Sequence, residues 1–216
     1  MKIKGAIFDL DGTLLDSMYI WNTIGEAYLV DKGIVPEKGL NDKFNTMSII
    51  QAAEYYREHY PLSESVEEII DGINRMIDHF YADTIVLKKG VLEMLKALKA
   101  DGVKMCIATA TDRYMVEAAL KKNGIFDFFS EIFTCTEVGF GKDSPVIFQK
   151  ALASLGTDKD ETFVFEDALH AIETAKSAGF KVIGVYDNAA KTKQDKIKQL
   201  CDYYVTSFED WSELYD

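Results

Sequence analysis

Short apolar runs of strand length punctuate the chain at Ile3 to Phe8, Val103 to Ala108, Glu131 to Thr134, Thr162 to Phe165 and Lys181 to Val185, with a weaker one at Tyr203 to Val205. From residue 90 onward these runs alternate with stretches of helical apolar spacing: Val91 to Ala100, Arg113 to Asn123, Pro145 to Leu155, Leu169 to Ala178 and Ala190 to Gln199. Several of the helical stretches stop at a glycine, among them Gly102, Gly124, Gly156 and Gly179. Strands that alternate with helices in this way predict βαβ units and a parallel sheet.

The rhythm breaks between about Ser17 and Asp83, where no strand pattern stands out. Met18 to Lys32, Thr46 to Tyr60 and Ser65 to Tyr81 carry helical spacing instead. In the last of these, Val66, Ile69, Ile70, Ile73, Met76, Ile77 and Phe80 form one apolar face, with Ser63 as the expected cap. The pattern predicts a helical insertion between the first strand and the rest of the sheet.

Composition narrows the function classes. The chain has 216 residues, 48% hydrophobic and 28% charged, as expected of a globular protein holding one large domain or a core with a smaller insertion. A formal net charge of −12 argues against nucleic acid as a partner, because such binding neutralises phosphates with Lys and Arg. No apolar run approaches the ~18 residues of a membrane span, and Met-Lys-Ile-Lys leads directly into a strand, so a cytoplasmic protein without membrane partners is expected. Cys106, Cys135 and Cys201 are far apart and lack C-x-x-C spacing, which predicts ordinary thiols, neither a disulfide framework nor a zinc site.

The chemistry lies at the ends of the strand runs. Phe8-Asp9-Leu10-Asp11-Gly12-Thr13 puts two carboxylates just beyond a buried strand, where like charges are costly unless a cation compensates. Mg²⁺ is the simplest such cation, since it takes oxygen ligands and commonly one or two carboxylates together with substrate phosphate. Thr109, in Ile107-Ala108-Thr109-Ala110-Thr111, offers a hydroxyl beside backbone N–H groups at a helix start, an arrangement suited to phosphate oxygens; Thr111 could equally be the helix cap. Lys142, in the glycine-rich Gly139-Phe140-Gly141-Lys142-Asp143-Ser144-Pro145, supplies a point charge. Phe163-Val164-Phe165-Glu166-Asp167-Ala168 runs a strand into paired acids, and the nearby His170 reads as a helix-surface residue, because Mg²⁺ prefers oxygen.

These four stretches, in this order, resemble the motifs of the haloacid dehalogenase-like superfamily of phosphotransferases, in the helical-cap branch that includes β-phosphoglucomutase and phosphoglycolate phosphatase. The resemblance spans essentially the whole chain. It implies a Rossmann-like parallel-sheet α/β core from residues 1–16 and 84–216, with an α-helical cap domain at 17–83 that closes over the site. It further implies that Asp9 is the nucleophile that becomes an aspartyl phosphate, that Asp11 is the general acid and base, and that Thr109, Ala110 and Lys142 hold the phosphate. Asp9, Asp11, Glu166 and Asp167 are the implied Mg²⁺ set. Relatives often carry Pro directly after the lysine, where this chain has Asp143. The tail stretches Val185-Tyr186-Asp187 and Phe208-Glu209-Asp210 also resemble that branch without carrying chemistry of their own.

The expected activity is Mg²⁺-dependent hydrolysis of a small phosphomonoester, a sugar phosphate or similar metabolite, by a monomer or weak homodimer. A phosphomutase is the alternative, and it must hold a second phosphate. Residues 16–83 carry thirteen acids against five Lys or Arg, which disfavours that, although Lys43 or Arg57 could serve. The segment Phe44-Asn45-Thr46-Met47-Ser48 also lacks the arginine-bearing loop expected of β-phosphoglucomutase. Dehalogenation is disfavoured because members that displace halide lack the second Asp. A phospho-accepting signalling module also uses an acidic cluster, a Thr and a Lys on a parallel sheet, but needs no helical insertion of this size.

Overall fold

The computed structural model describes residues 2–44, 47 and 49–215. In chain order the regular elements are β1 (Gly5–Phe8), α1 (Met18–Asp31), α2 (Leu40–Phe44), α3 (Ile49–His59), α4 (Val66–His79), α5 (Val91–Ala100), β2 (Lys104–Thr109), α6 (Arg113–Lys122), β3 (Ile132–Thr134), α7 (Cys135–Val138), α8 (Val146–Leu155), β4 (Thr162–Glu166), α9 (Leu169–Ser177), β5 (Lys181–Val185), α10 (Gln194–Leu200), β6 (Tyr203–Val205) and α11 (Trp211–Tyr215). They form two compact units, one from residues 1–17 and 85–216, the other from residues 18–84.

The larger unit is a six-stranded sheet in the order β3-β2-β1-β4-β5-β6, with every pairing parallel. The middle residues of its inner strands are apolar and buried, as a parallel sheet covered on both faces requires. On one face Ile7, Cys106, Val164 and Val182 pack against Ile147, Phe148 and Ala151 of α8 and Ala171, Ile172 and Ala175 of α9. Elsewhere in the core Phe8 stacks on Phe165 with ring centroids 4.3 Å apart, and Trp211 closes on Phe165 at 5.7 Å. The register sets Phe8 beside Ile107 and Phe165, so the ends of β1, β2 and β4 come out side by side. The strand order reverses about β1, and the carboxyl ends at such a switch point are where open α/β sheets bind ligands. Gly156 closes α8 with φ of 59°, the left-handed value a glycine adopts without strain. The cysteines are free, and Cys106 packs as a small apolar residue.

The expected helix Ala190 to Gln199 differs from the structure. Asp187 accepts a hydrogen bond from the Ala189 N–H at 2.8 Å and starts a 3₁₀ turn over Asn188–Lys193, so α10 begins only at Gln194.

In the smaller unit α4 buries Ile69, Ile73 and Ile77. Its cap is Ser65, not Ser63. The Ser65 hydroxyl accepts from the Glu68 N–H while the Glu68 carboxylate accepts from the Ser65 N–H at 2.8 Å, a reciprocal capping box that Ser63 has no partner to make. Beyond His79 the helix widens into a π turn over Phe80–Thr84, which leaves the adjacent rings of Phe80 and Tyr81 both buried. Tyr56 lies at the centre of this unit: its ring meets Tyr28 at 5.5 Å and Phe44 at 4.8 Å, and its hydroxyl donates to the Gly25 carbonyl. The short α2 was not expected from the sequence. Asn45, Thr46 and Ser48 lie outside the described residues, and α3 is described from Ile49. No helix among the described residues is long and apolar enough to cross a membrane.

Candidate active site

The chain leaves β1 with Asp9 still tied to the sheet, its N–H donating to the Phe165 carbonyl at 3.0 Å. It then folds back on itself: the N–H groups of Leu14 and Leu15 both donate to the Leu10 carbonyl at 2.9 Å, and Gly12 takes φ of 81° in the turn. Asp9 and Asp11 are therefore held by a short buried loop at the tip of the central strand.

Glu166, the last residue of β4, and Asp167 after it are buried beside Asp9. One carboxylate oxygen from each of Asp9, Glu166 and Asp167 lies within 4.8 Å of the others. Lys142, from the loop between α7 and α8, reaches between them, its ammonium donating to Asp9 Oδ1 and, at 2.6 Å, to Glu166 Oε1. Glu166 Oε2 accepts from the N–H groups of Asp167 and Ala168 at 2.8 and 3.0 Å. Asp167 Oδ1 accepts from the Thr13 hydroxyl at 3.1 Å.

The electrostatics show what this group lacks. Burial pushes the Asp9 carboxyl up to about 6, opposed by Lys142 and reinforced by Glu166. Asp167 is pushed well above the usual carboxylate range by burial first, then by Glu166 and Asp9. Burial alone would lower the Lys142 ammonium, but the two carboxylates it bridges overcome that and raise it. When all three carboxyls are ionised, they exceed the one ammonium by two negative charges, on an oxygen-only donor set. That fits a hard dication such as Mg²⁺, with Asp9, Glu166 and Asp167 as its holders.

Asp11 is not among those three carboxylates. Its Oδ2 accepts from the Thr111 hydroxyl at 2.6 Å. Thr111 does not cap α6, whose first-turn cap position is taken by Asp112. Thr109, buried at the end of β2, accepts from the Thr111 N–H at 3.1 Å, and Ala110 between them is exposed. Glu166 and Asp167 thus join Asp9 and Lys142 in one cluster, while Asp11 faces the end of β2.

Some neighbours were missed in the sequence. Thr13 belongs to the same D-G-T stretch and could have been found there. Lys88 carried no signal. It pairs with the buried Asp187 at 2.8 Å, donates to the Tyr186 carbonyl at 2.7 Å, and opposes the rise of Asp167.

Comparison with known proteins identifies the family. The family model of haloacid dehalogenase-like hydrolases matches residues 6–185. Pyrophosphatase PpaX of Bacillus cereus (strain Q1) is 30% identical over 166 residues, covering 72% of this chain and 70% of that protein. Among solved structures, a Thermotoga maritima protein assigned as a β-phosphoglucomutase superposes with a TM-score of 0.83 at 21% identity, over 98% of each chain. YfnB of Bacillus subtilis, solved bound to magnesium, gives a TM-score of 0.77 at 17% identity over 99% of each. With the sheet, the acidic cluster and a family match that runs from β1 through β5, the chain belongs to the haloacid dehalogenase-like hydrolases.

Proposed function

We propose that the protein is a Mg²⁺-dependent phosphatase that hydrolyses a small phosphomonoester, a sugar phosphate or similar metabolite, through an aspartyl phosphate on Asp9. The observation that carries this is the buried cluster of Asp9, Glu166 and Asp167 around the single ammonium of Lys142. Such a cluster is costly to the fold and suited to transferring a dianionic group.

Bound Mg²⁺, held by Asp9, Glu166 and Asp167, would supply neutralising charge for the phosphate and the nucleophile. A carboxylate oxygen of Asp9 attacks phosphorus while the P–O ester bond breaks, its electron pair going to the leaving oxygen. That oxygen takes a proton from Asp11, which becomes a carboxylate. Water then gives a proton to Asp11 and attacks phosphorus, the Asp9–phosphoryl bond breaks, and inorganic phosphate leaves with Asp9 and Asp11 restored. Lys142 offsets the charge on Asp9 and the transferring group. The Thr109 hydroxyl and the backbone at Ala110 hold phosphate oxygens.

The phosphomutase alternative needs a cation for a second phosphate. Lys43, one candidate, is bonded instead to Glu37 at 2.8 Å and to the Tyr55 hydroxyl at 2.5 Å, so hydrolysis is preferred. The test is phosphate release from phosphorylated sugars, phosphoglycolate, nucleotides and pyrophosphate, with and without Mg²⁺, using Asp9→Asn as the blank and a β-glucose 1-phosphate isomerisation assay alongside. Mg²⁺-dependent release that vanishes in the variant is expected. Isomerisation without net release would make the protein a mutase, and silence in both assays would refute the phosphatase.

A further inference from the structure

The parallel register of β1 and β2 offsets paired residues by ninety-nine, Phe8 lying beside Ile107. Beyond the strand ends, the loops that follow these neighbouring strands bring Asp11 beside Thr111, whose hydroxyl donates to Asp11 Oδ2 at 2.6 Å. Thr111 is itself fixed, since its N–H donates to the Thr109 hydroxyl oxygen at 3.1 Å and Thr109 is buried at the end of β2. The Asp11 side chain is therefore tethered to the loop that leaves β2, itself anchored to the last residue of that strand.

We infer that Thr111 is a positioning residue for proton transfer, holding the Asp11 carboxyl in one orientation. This rests on Asp11 acting as acid and base. A hydroxyl that donates to Oδ2 anchors that oxygen. It also removes the rotation of the carboxyl about its bond to Cβ. A general acid works only when its proton lies within hydrogen-bond reach of the leaving atom, so the loss of this tether acts on geometry. Valine at this position keeps the branched shape of threonine and removes the donor; serine keeps the donor and removes a methyl group.

The consequence depends on the leaving group. An alkoxide leaves poorly without a proton, whereas p-nitrophenolate leaves without one. The experiment compares kcat/KM, which reports transfer to Asp9, for wild type, Thr111→Val and Thr111→Ser. The substrates are p-nitrophenyl phosphate and whichever of glucose 6-phosphate and phosphoglycolate wild type turns over faster, with circular dichroism melts to confirm folding. In Thr111→Val the fall on the alkyl ester is expected to exceed the fall on the aryl ester by roughly ten-fold or more, within the ~10²–10⁴ that a positioned acid contributes. Thr111→Ser should recover most of that difference. Equal falls on both esters, or a serine variant as impaired as valine, would overturn the positioning role. Wild-type-like turnover by Asp9→Asn in the same series would overturn the aspartyl-phosphate reading itself, a separate result.

Discussion

Replacing Asp9 with Asn should stabilise the metal-free protein, and the gain should depend on pH. Asp9 is buried, and its carboxyl is pushed from 3.8 up to about 6. Because the folded value lies above the unfolded one, the stability associated with Asp9 is fully present below the unfolded value and is lost as pH rises through 6. At about 1.4 kcal/mol per unit, the shift amounts to about 3 kcal/mol near pH 7.5, falling to about 1 kcal/mol near pH 4.5. Asparagine carries no such charge and keeps an oxygen to accept from Lys142. The assay is urea unfolding in EDTA across that pH range, followed by Trp211 fluorescence in a Trp21→Phe background, since Trp211 is buried against Phe165 and reports the sheet unit. Mg²⁺ should shrink the difference between the two proteins, because it stabilises the aspartate form by binding. A variant no more stable than wild type near pH 7.5, or a gain that fails to diminish on acidification, would refute the charge-excess reasoning.

Lys142→Met removes the ammonium from between Asp9 and Glu166; breaking such a buried pairing should cost ~3–5 kcal/mol near neutral pH and abolish turnover, read by urea unfolding and phosphate release. Ser65→Ala dismantles the capping box of α4 and should cost the helical unit about 1 kcal/mol, measured by thermal melts followed by circular dichroism. Gly72→Ala sets two effects against each other, because alanine gains about 1 kcal/mol of helix propensity but its methyl group would sit 2.7 Å from the Tyr28 ring. Overpacking of ~1–3 kcal/mol against a buried ring should win, so the same melts should show net destabilisation, and a stabilised variant would contradict that packing.

The sheet was legible because each of its strands is a short apolar run closed by turn or helix signals, and βαβ spacing leaves little choice but parallel pairing. Chemistry-bearing stretches were legible for a related reason. Asp9, Thr109 and Glu166 stand at the ends of apolar runs, where a charge or hydroxyl has no packing role. Elements fixed by tertiary or reciprocal contacts were not. Ser63 and Ser65 look alike as caps until Glu68, three residues after Ser65, is weighed as a partner. The later start of α10 depends on Asp187 capping a 3₁₀ turn ahead of it. Thr111 resembled a helix cap because its position precedes α6; only the pairing of β1 with β2, which sets their ends side by side, shows that its hydroxyl has Asp11 to serve. Lys88 and Asp187 are 99 residues apart and met by no local pattern at all.

The central claim is that Asp9 carries the phosphoryl group during turnover. Wild type and Asp9→Asn should be acid-quenched during turnover of the best phosphomonoester with Mg²⁺, and their peptides mapped by mass spectrometry. A phosphoryl adduct on Asp9 in wild type, absent from the variant along with its activity, is the expected outcome. Rapid turnover with Asp9 unmodified, or retained by Asp9→Asn, would contradict it.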